Sequence, residues 1–166
     1  TQHLIDLGHK DIAFIAGGAE HKSTIERLKG YKAALSENDI TVRHDLIIDG
    51  EYSFDSGVEG AKVLMNAKNK PTAIFSCNDE IAAGALFGSR LMGISIPEQL
   101  SIAGFENSPF SRQTWPKLTT ADQPNTSIAE NATNLLIAKT RKQNATNIVN
   151  QYTPKLVVRD SSSSIN

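Results

Sequence analysis

An apolar run at 73–75 breaks into Ser76, Cys77, Asn78 and Asp79, and helix-forming residues follow at once. Either short side chain can accept a hydrogen bond from the first free N–H groups of a helix. The run shows no polar alternation, as expected of a strand buried on both faces. A strand that enters a helix through a polar corner is half of a βαβ unit, and in open parallel sheets ligands sit beyond such strand ends. Three further apolar runs end in the same way. Ser23 and Arg27 follow the first, Asp49, Glu51 and Tyr52 the second, and Glu106 and Asn107 the fourth. Together they suit a small polyhydroxylated ligand. Arginine forks and carboxylates make paired hydrogen bonds to neighbouring hydroxyls, and an aromatic ring covers the apolar C–H face of a sugar. Taken singly, each has a plainer reading: Asp79 as a cap, Arg27 as a surface charge, Tyr52 as a half-buried packing residue. Their convergence on one sheet edge is what points to a ligand.

Other chemistry finds little support. Lys22 and Ser23 follow two glycines after a strand, as in a phosphate loop, but Ala16 and His21 stand where that motif needs glycine. The four histidines, His3, His9, His21 and His44, lack metal-ligand spacing. No Gly-x-Ser-x-Gly elbow is present, and Cys77 has no histidine partner in sequence. Neither a catalytic group, a metal nor a cofactor is expected.

The elements that must position these residues follow in order. Residues 1–7 read as the end of a helix closed by Gly8. Strands are expected at 12–16, 46–48, 73–75 and 101–105, with helices at 23–36, 53–67 and 78–92 between them. Ile25, Leu28, Tyr31 and Leu35 share one face of the first of these helices. This alternation through short connections predicts an α/β fold, a three-layer parallel sheet with helices on both faces. After Phe105 the rhythm changes to a loop at 108–117 holding Pro109, Trp115 and Pro116, then a short run at 118–121. Pro124 opens a helix expected to reach about 143, with Ile128, Ala132, Leu135, Leu136 and Lys139 on one stripe. A last strand is expected at 151–158 and a disordered polar tail at 159–166.

Composition narrows the function classes. The 166 residues suffice for one domain with a real core. A net charge of −1 leaves no general basic surface for nucleic acid. The single cysteine excludes an internal disulfide and suits a reducing compartment, which predicts a cytoplasmic location. No apolar run is long enough to span a membrane, and no signal peptide is visible. The chain opens without Met, in mid-helix, and reads as a piece of something longer.

Read in order, Leu-Gly-His-Lys-Asp-Ile-Ala-Phe-Ile-Ala-Gly at 7–17, Arg27 with Gly30 and Tyr31, and Ser56-Gly57 make a recognisable series. Pro-Thr-Ala-Ile-Phe at 71–75 with Asn78-Asp79, the stretch 97–105, and Leu-Thr-Thr at 118–120 continue it. The ordered set, covering nearly the whole chain, resembles the LacI/GalR family of bacterial repressors, in the second half of their effector-binding core. That core is two-lobed, like the periplasmic sugar-binding proteins. The resemblance implies that Arg27, Asn78 and the acidic Glu106 bind an effector while Tyr52 stacks on it, with Ser23, Asp79 and Gln123 as further carry-overs. Relatives usually carry Asp where Glu106 stands, so its longer side chain shifts the ligand geometry or loses the role. Effectors in the family divide between sugars and purines. The run Ser-Phe-Asp-Ser-Gly at 53–57 and the Trp115–Pro116 loop favour a sugar or sugar phosphate.

The resemblance also divides the chain. Residues 1–122 would form the effector-binding lobe, 123–150 a helix that normally crosses to the other lobe, 151–158 a returning strand, and 159–166 the tail. Operator DNA would be read by a helix-turn-helix domain outside this chain, working as a homodimer. Without the first lobe, the 124–143 helix would lack its packing partner, and a second copy or local refolding would have to cover its stripe. A transport-type sugar-binding protein of the same fold is the nearest rival. An α/β hydrolase using Glu106 or Asp79 as a base is a more distant one.

Overall fold

The computed structural model describes residues 1–141 and 150–165. A short first helix, α1 (Gln2–Asp6), ends in a turn where Gly8 takes a φ of +94°, a conformation that favours glycine. The strand β1 (Ile12–Ile15) follows, fully buried along its length. Helix α2 (Lys22–Glu37) packs against one face of it. Tyr31 carries this contact, donating from Oη to the Ile12 carbonyl at 2.7 Å while its ring stacks on Phe14 at 5.4 Å. A single 3-10 turn (His44–Leu46) leads into β2 (Ile47–Ile48), and α3 (Phe54–Asn66) returns the chain. The strand β3 (Ala73–Ser76), α4 (Asp79–Leu91) and β4 (Ser101–Phe105) complete the alternating part. Right-handed crossovers place α2 and α3 on opposite faces of the sheet.

The sheet runs β2-β1-β3-β4, continued by β5 (Thr119–Asp122) and β6 (Lys155–Val157). The first five strands are parallel. Ile15 pairs with Ile48 on one side and Ser76 on the other, and Phe105 pairs with Ala121, so the carboxyl ends align at one edge. Chain order reverses between β1 and β3, which opens a crevice between their ends.

Three expectations need correction. The last strand is antiparallel to β5 and covers only Lys155–Val157. It comes back from α6 (Asn125–Thr140) at the far end of β5, and it starts after Pro154, which has no N–H to give a ladder. The loop at 108–117 contains a short helix, α5 (Phe110–Gln113). The tail expected to be disordered is tied into the fold as far as Ile165. Ser161 is fully buried, exchanges hydrogen bonds with the Ile102 backbone at 2.5 and 2.7 Å, and accepts from the Thr119 amide at 2.8 Å. The Ile165 amide bonds to the Leu7 carbonyl at 3.0 Å. Short serine side chains bond to nearby backbone groups, so a run that looks solvated in composition can close a strand edge.

Helix α6 buries none of its residues, and Leu136 and Ile137 are exposed. Its expected end near 143 lies outside the described residues, as does most of the connection to β6.

Candidate ligand site

From α2, Arg27 reaches over the carboxyl ends of β3, β4 and β5. Its Nη1 donates to the Cys77 carbonyl at 2.8 Å, its Nη2 reaches Gln123 Oε1 at 3.5 Å, and the guanidinium lies 4.1 Å from the centre of the Phe105 ring. Residues from α2, the β3 end, the β4 end and the β5 end are thereby drawn around one cation. A guanidinium held by a carbonyl and an aromatic face keeps its remaining N–H groups in a fixed fork, the form that recognises vicinal hydroxyls or a phosphate.

Tyr52 lies in the loop before α3, flat over Gly17. A Cβ at residue 17 would come within 2.5 Å of the ring, so only glycine lets the tyrosine settle there. Its hydroxyl lies 2.9 Å from Ser23 Oγ, 3.0 Å from Thr24 Oγ1 and 3.2 Å from Cys77 Sγ. His21 packs edge-on against the ring at 5.2 Å. Ser23 and Tyr52, both expected as ligand-binding positions, are therefore bonded to each other.

Asn78 caps α4, its Oδ1 accepting from the Ile81 amide at 2.9 Å. Asp79 is fully buried and both its oxygens are engaged: Oδ2 by the Ser108 amide at 2.7 Å and Oδ1 by the Thr120 hydroxyl at 2.5 Å. Burial pushes its pKa up, against the opposing pull of those bonds. Its carboxylate is thus a fastener between β3, β5 and the loop after β4.

Glu106, directly after β4, has a φ of +100° and Asn107 follows at +53°, two consecutive left-handed residues that are not glycine. Among the described residues, no hydrogen bond is made by the Glu106 carboxyl group. Burial raises its pKa, the nearby Asp79 and Glu80 charges add to the rise, and Arg27 opposes it. A half-buried acid without a partner in the field of Arg27 is ready to accept from a ligand hydroxyl.

An open cavity of about 590 Å³ includes Ser23, Arg27 and Gln123 on its wall, together with Phe75 and Phe105. Tyr52, Asn78 and Glu106 do not line it. Arg27, Gln123 and the Cys77 carbonyl form one bonded cluster, and Ser23 with Tyr52 another. Asn78 and Asp79 instead bond to groups of the fold itself, the Ile81 and Ser108 amides and the Thr120 hydroxyl. Sequence reasoning missed Phe105, Thr24, Thr120 and Arg159. An aromatic residue immediately before the acid at a strand end could have pointed to Phe105; nothing local marks the other three. Among the described residues, no group of His, Cys, Asp and Glu could hold a metal ion, and no helix is long and apolar enough to cross a membrane.

Residues 1–162 match the family model of the periplasmic binding protein-like domain. Catabolite control protein A of Priestia megaterium is 38% identical over 97% of this chain and 49% of its own length. The crystal structure of the Escherichia coli transcriptional repressor ascG superposes with a TM-score of 0.90 at 32% identity, over 98% of this chain and 59% of that one. A complex of the transcriptional regulator CelR with cellobiose gives a TM-score of 0.90 at 28% identity, over 97% of this chain and 49% of that one. The chain spans about half the length of the curated relatives it matches. Several of the matched proteins are named as transcriptional repressors or regulators. The chain belongs to the periplasmic binding protein-like domain family and, within it, to the LacI-type transcriptional regulators, of which it makes up a C-terminal portion.

Proposed function

We propose that this chain is the effector-sensing part of a LacI/GalR-type repressor, and that the effector is a sugar or sugar phosphate. The observation that carries the reading is the arginine fork at the reversal point of the sheet, fixed on the Cys77 carbonyl and the Phe105 ring beside the unpartnered Glu106 carboxyl. A cation with free donors, an acceptor carboxylate and the hydroxyl-lined Tyr52 corner match a ligand rich in neighbouring hydroxyls. The cellobiose complex of a structural relative supports that ligand class. Residues 1–122 with 151–158 form the sensing lobe, and α6, which follows at Asn125–Thr140, belongs to the segment that crosses to the other lobe. Ligand seated on this edge favours one arrangement of the two lobes over another, which shifts the affinity of a DNA-binding domain for its operator. The protein works in the cytoplasm as a homodimer. The groove of about 400 Å³ beside α4 supports pairing, since Phe87, Phe110 and Trp115 stand exposed along it.

Fluorescence anisotropy on the intact gene product tests the reading, with DNA from upstream of its own coding region as probe. Cellobiose, D-ribose and a panel of aldoses and their phosphate esters are titrated against the complex. At least one should change DNA affinity, and Arg27→Ala should abolish that change while retaining DNA binding. A protein that binds this DNA yet ignores every sugar, or responds equally with Arg27→Ala, overturns the proposal.

A further inference from the structure

The left-handed turn at Glu106–Asn107 needs an explanation, because a glutamate and an asparagine in succession at positive φ relax unless their surroundings hold them. Four bonds involving β5 and the start of α4 contribute. The Glu106 amide donates to the Ala121 carbonyl at 2.7 Å, the Asn107 amide to Thr120 Oγ1 at 3.4 Å, the Ser108 amide to Asp79 Oδ2 at 2.7 Å, and Thr120 Oγ1 to Asp79 Oδ1 at 2.5 Å. The Asn107 side chain is fixed from elsewhere. Its Oδ1 accepts from Ser111 Oγ at 3.2 Å and, more closely, from Arg159 Nη2 at 2.6 Å. Arg159 is itself anchored, with Nη1 on the Leu118 carbonyl at 2.6 Å and its backbone amide on Thr119 Oγ1 at 3.0 Å. Ser161, two residues on, is buried against the edge of the sheet.

We infer that Arg159 is a positioning residue for the proposed effector site: from the C-terminal tail it pins Asn107 in the left-handed conformation and so fixes where the Glu106 carboxylate stands. This rests on the sensing role proposed above. Arg159 touches no ligand; it acts through Asn107. Its fork suits the task, since one guanidinium spans two acceptors on different segments, which a lysine cannot do in the same geometry. The tail is thereby coupled to the binding edge, and whatever unseats it loosens the acid that faces the ligand.

The test uses the intact gene product and two readouts. Amide hydrogen exchange across 106–108 is compared in the parent, Arg159→Gln, Arg159→Lys, and Arg159→Gln combined with Asn107→Gly. Loss of a charge-assisted bond should speed exchange at these amides by about tenfold, with the buried strands at Ile74 and Ile102 within about twofold of the parent. Glycine at 107 accepts positive φ without a pin, so the double variant should recover slow exchange, and Arg159→Lys should fall between. In the second readout, the thermal shift produced by cellobiose and the aldose panel should shrink in Arg159→Gln and return in the double variant. Unchanged exchange at 106–108, acceleration spread evenly over the sheet, or no recovery with Asn107→Gly overturns the inference. So does a loosened turn that leaves a sugar shift intact. If no sugar shifts the parent, the sensing role fails, while the exchange rates still decide whether Arg159 holds the turn.

Discussion

Replacing Gly84 with alanine should separate the two helices that set the Asn78 corner. Helices α3 and α4 cross backbone to backbone at Gly57 and Gly84. A Cβ on Gly84 would overlap the Phe54 carbonyl oxygen and stand 2.9 Å from its carbon; a Cβ on Gly57 would overlap the Ile81 carbonyl oxygen and stand 2.7 Å from the Ala85 nitrogen. Neither obstacle is a side-chain tip that can rotate aside, so the helices themselves must part. Overpacking costs about 1–3 kcal/mol, and against backbone the upper end applies. Alanine returns about 1 kcal/mol of helix propensity. The net loss is then about 2 kcal/mol, or roughly 4–8 °C in Tm for a domain of this size. Gly30 supplies the control. It is exposed on α2 with nothing within 4 Å of where a Cβ would stand. Gly30→Ala should therefore stabilise by up to about 1 kcal/mol through propensity alone. Differential scanning calorimetry on the two variants reads both signs. Gly84→Ala within about 0.5 kcal/mol of the parent, or a destabilising Gly30→Ala, would refute the reasoning.

Three other outcomes follow from the same packing. His9 is buried, with Nδ1 2.9 Å from Thr72 Oγ1 and Nε2 3.0 Å from the Ser163 carbonyl, and burial lowers its pKa. The unfolded imidazole takes its proton at higher pH than the folded one, so this stability is complete above the unfolded value of 6.5 and is lost as pH falls through it. Urea midpoints should drop between about pH 7.5 and 5.5, less steeply in His9→Gln, and equal slopes would contradict the assignment. Asp79 and Glu106, both raised by burial, carry the opposite sign, so their strain eases as pH falls through the carboxylate range. Cys77 is fully buried beneath Tyr52, so a thiol reagent should label it only through opening of the fold. Labelling that stays fast without denaturant would contradict the packing. Tyr52→Phe keeps the ring over Gly17 but removes the hydroxyl shared by Ser23, Thr24 and Cys77, and should cost about 1 kcal/mol while speeding that labelling. An unchanged labelling rate would mean that the hydroxyl does not latch this corner.

Much of the fold was legible because its strands are short apolar runs closed by polar corners. The Asn78 corner shows why this works: one residue type both stops the strand and caps the helix, so the signal is local. The antiparallel β6 and the buried tail escaped for the opposite reason. Ser161 to Ser163 look like solvent-exposed linker until their partners Ile102, Thr119 and Ser101, some sixty or forty positions away, are placed beside them. The candidate site divides in the same way. Arg27, Tyr52 and Glu106 could be picked out because each follows a strand end. That Tyr52 would bond Ser23, that Phe105 would lie under Arg27, and that Asp79 would fasten the Ser108 loop depend on which strands become neighbours. The positive φ of Glu106 has no residue signature at all, since glutamate is a poor left-handed residue and is held there by its surroundings.

The most direct test of the central claim is ligand-induced stabilisation of the intact gene product, parent against Arg27→Ala and Glu106→Gln. A sugar at a hundredfold excess over its Kd contributes about 2.7 kcal/mol to the folded state. The account predicts that at least one member of a panel of aldoses, cellobiose and sugar phosphates raises the parent Tm, that Arg27→Ala removes the rise, and that Glu106→Gln reduces it. An equal rise in all three proteins, or none in the parent across the whole panel, would contradict it.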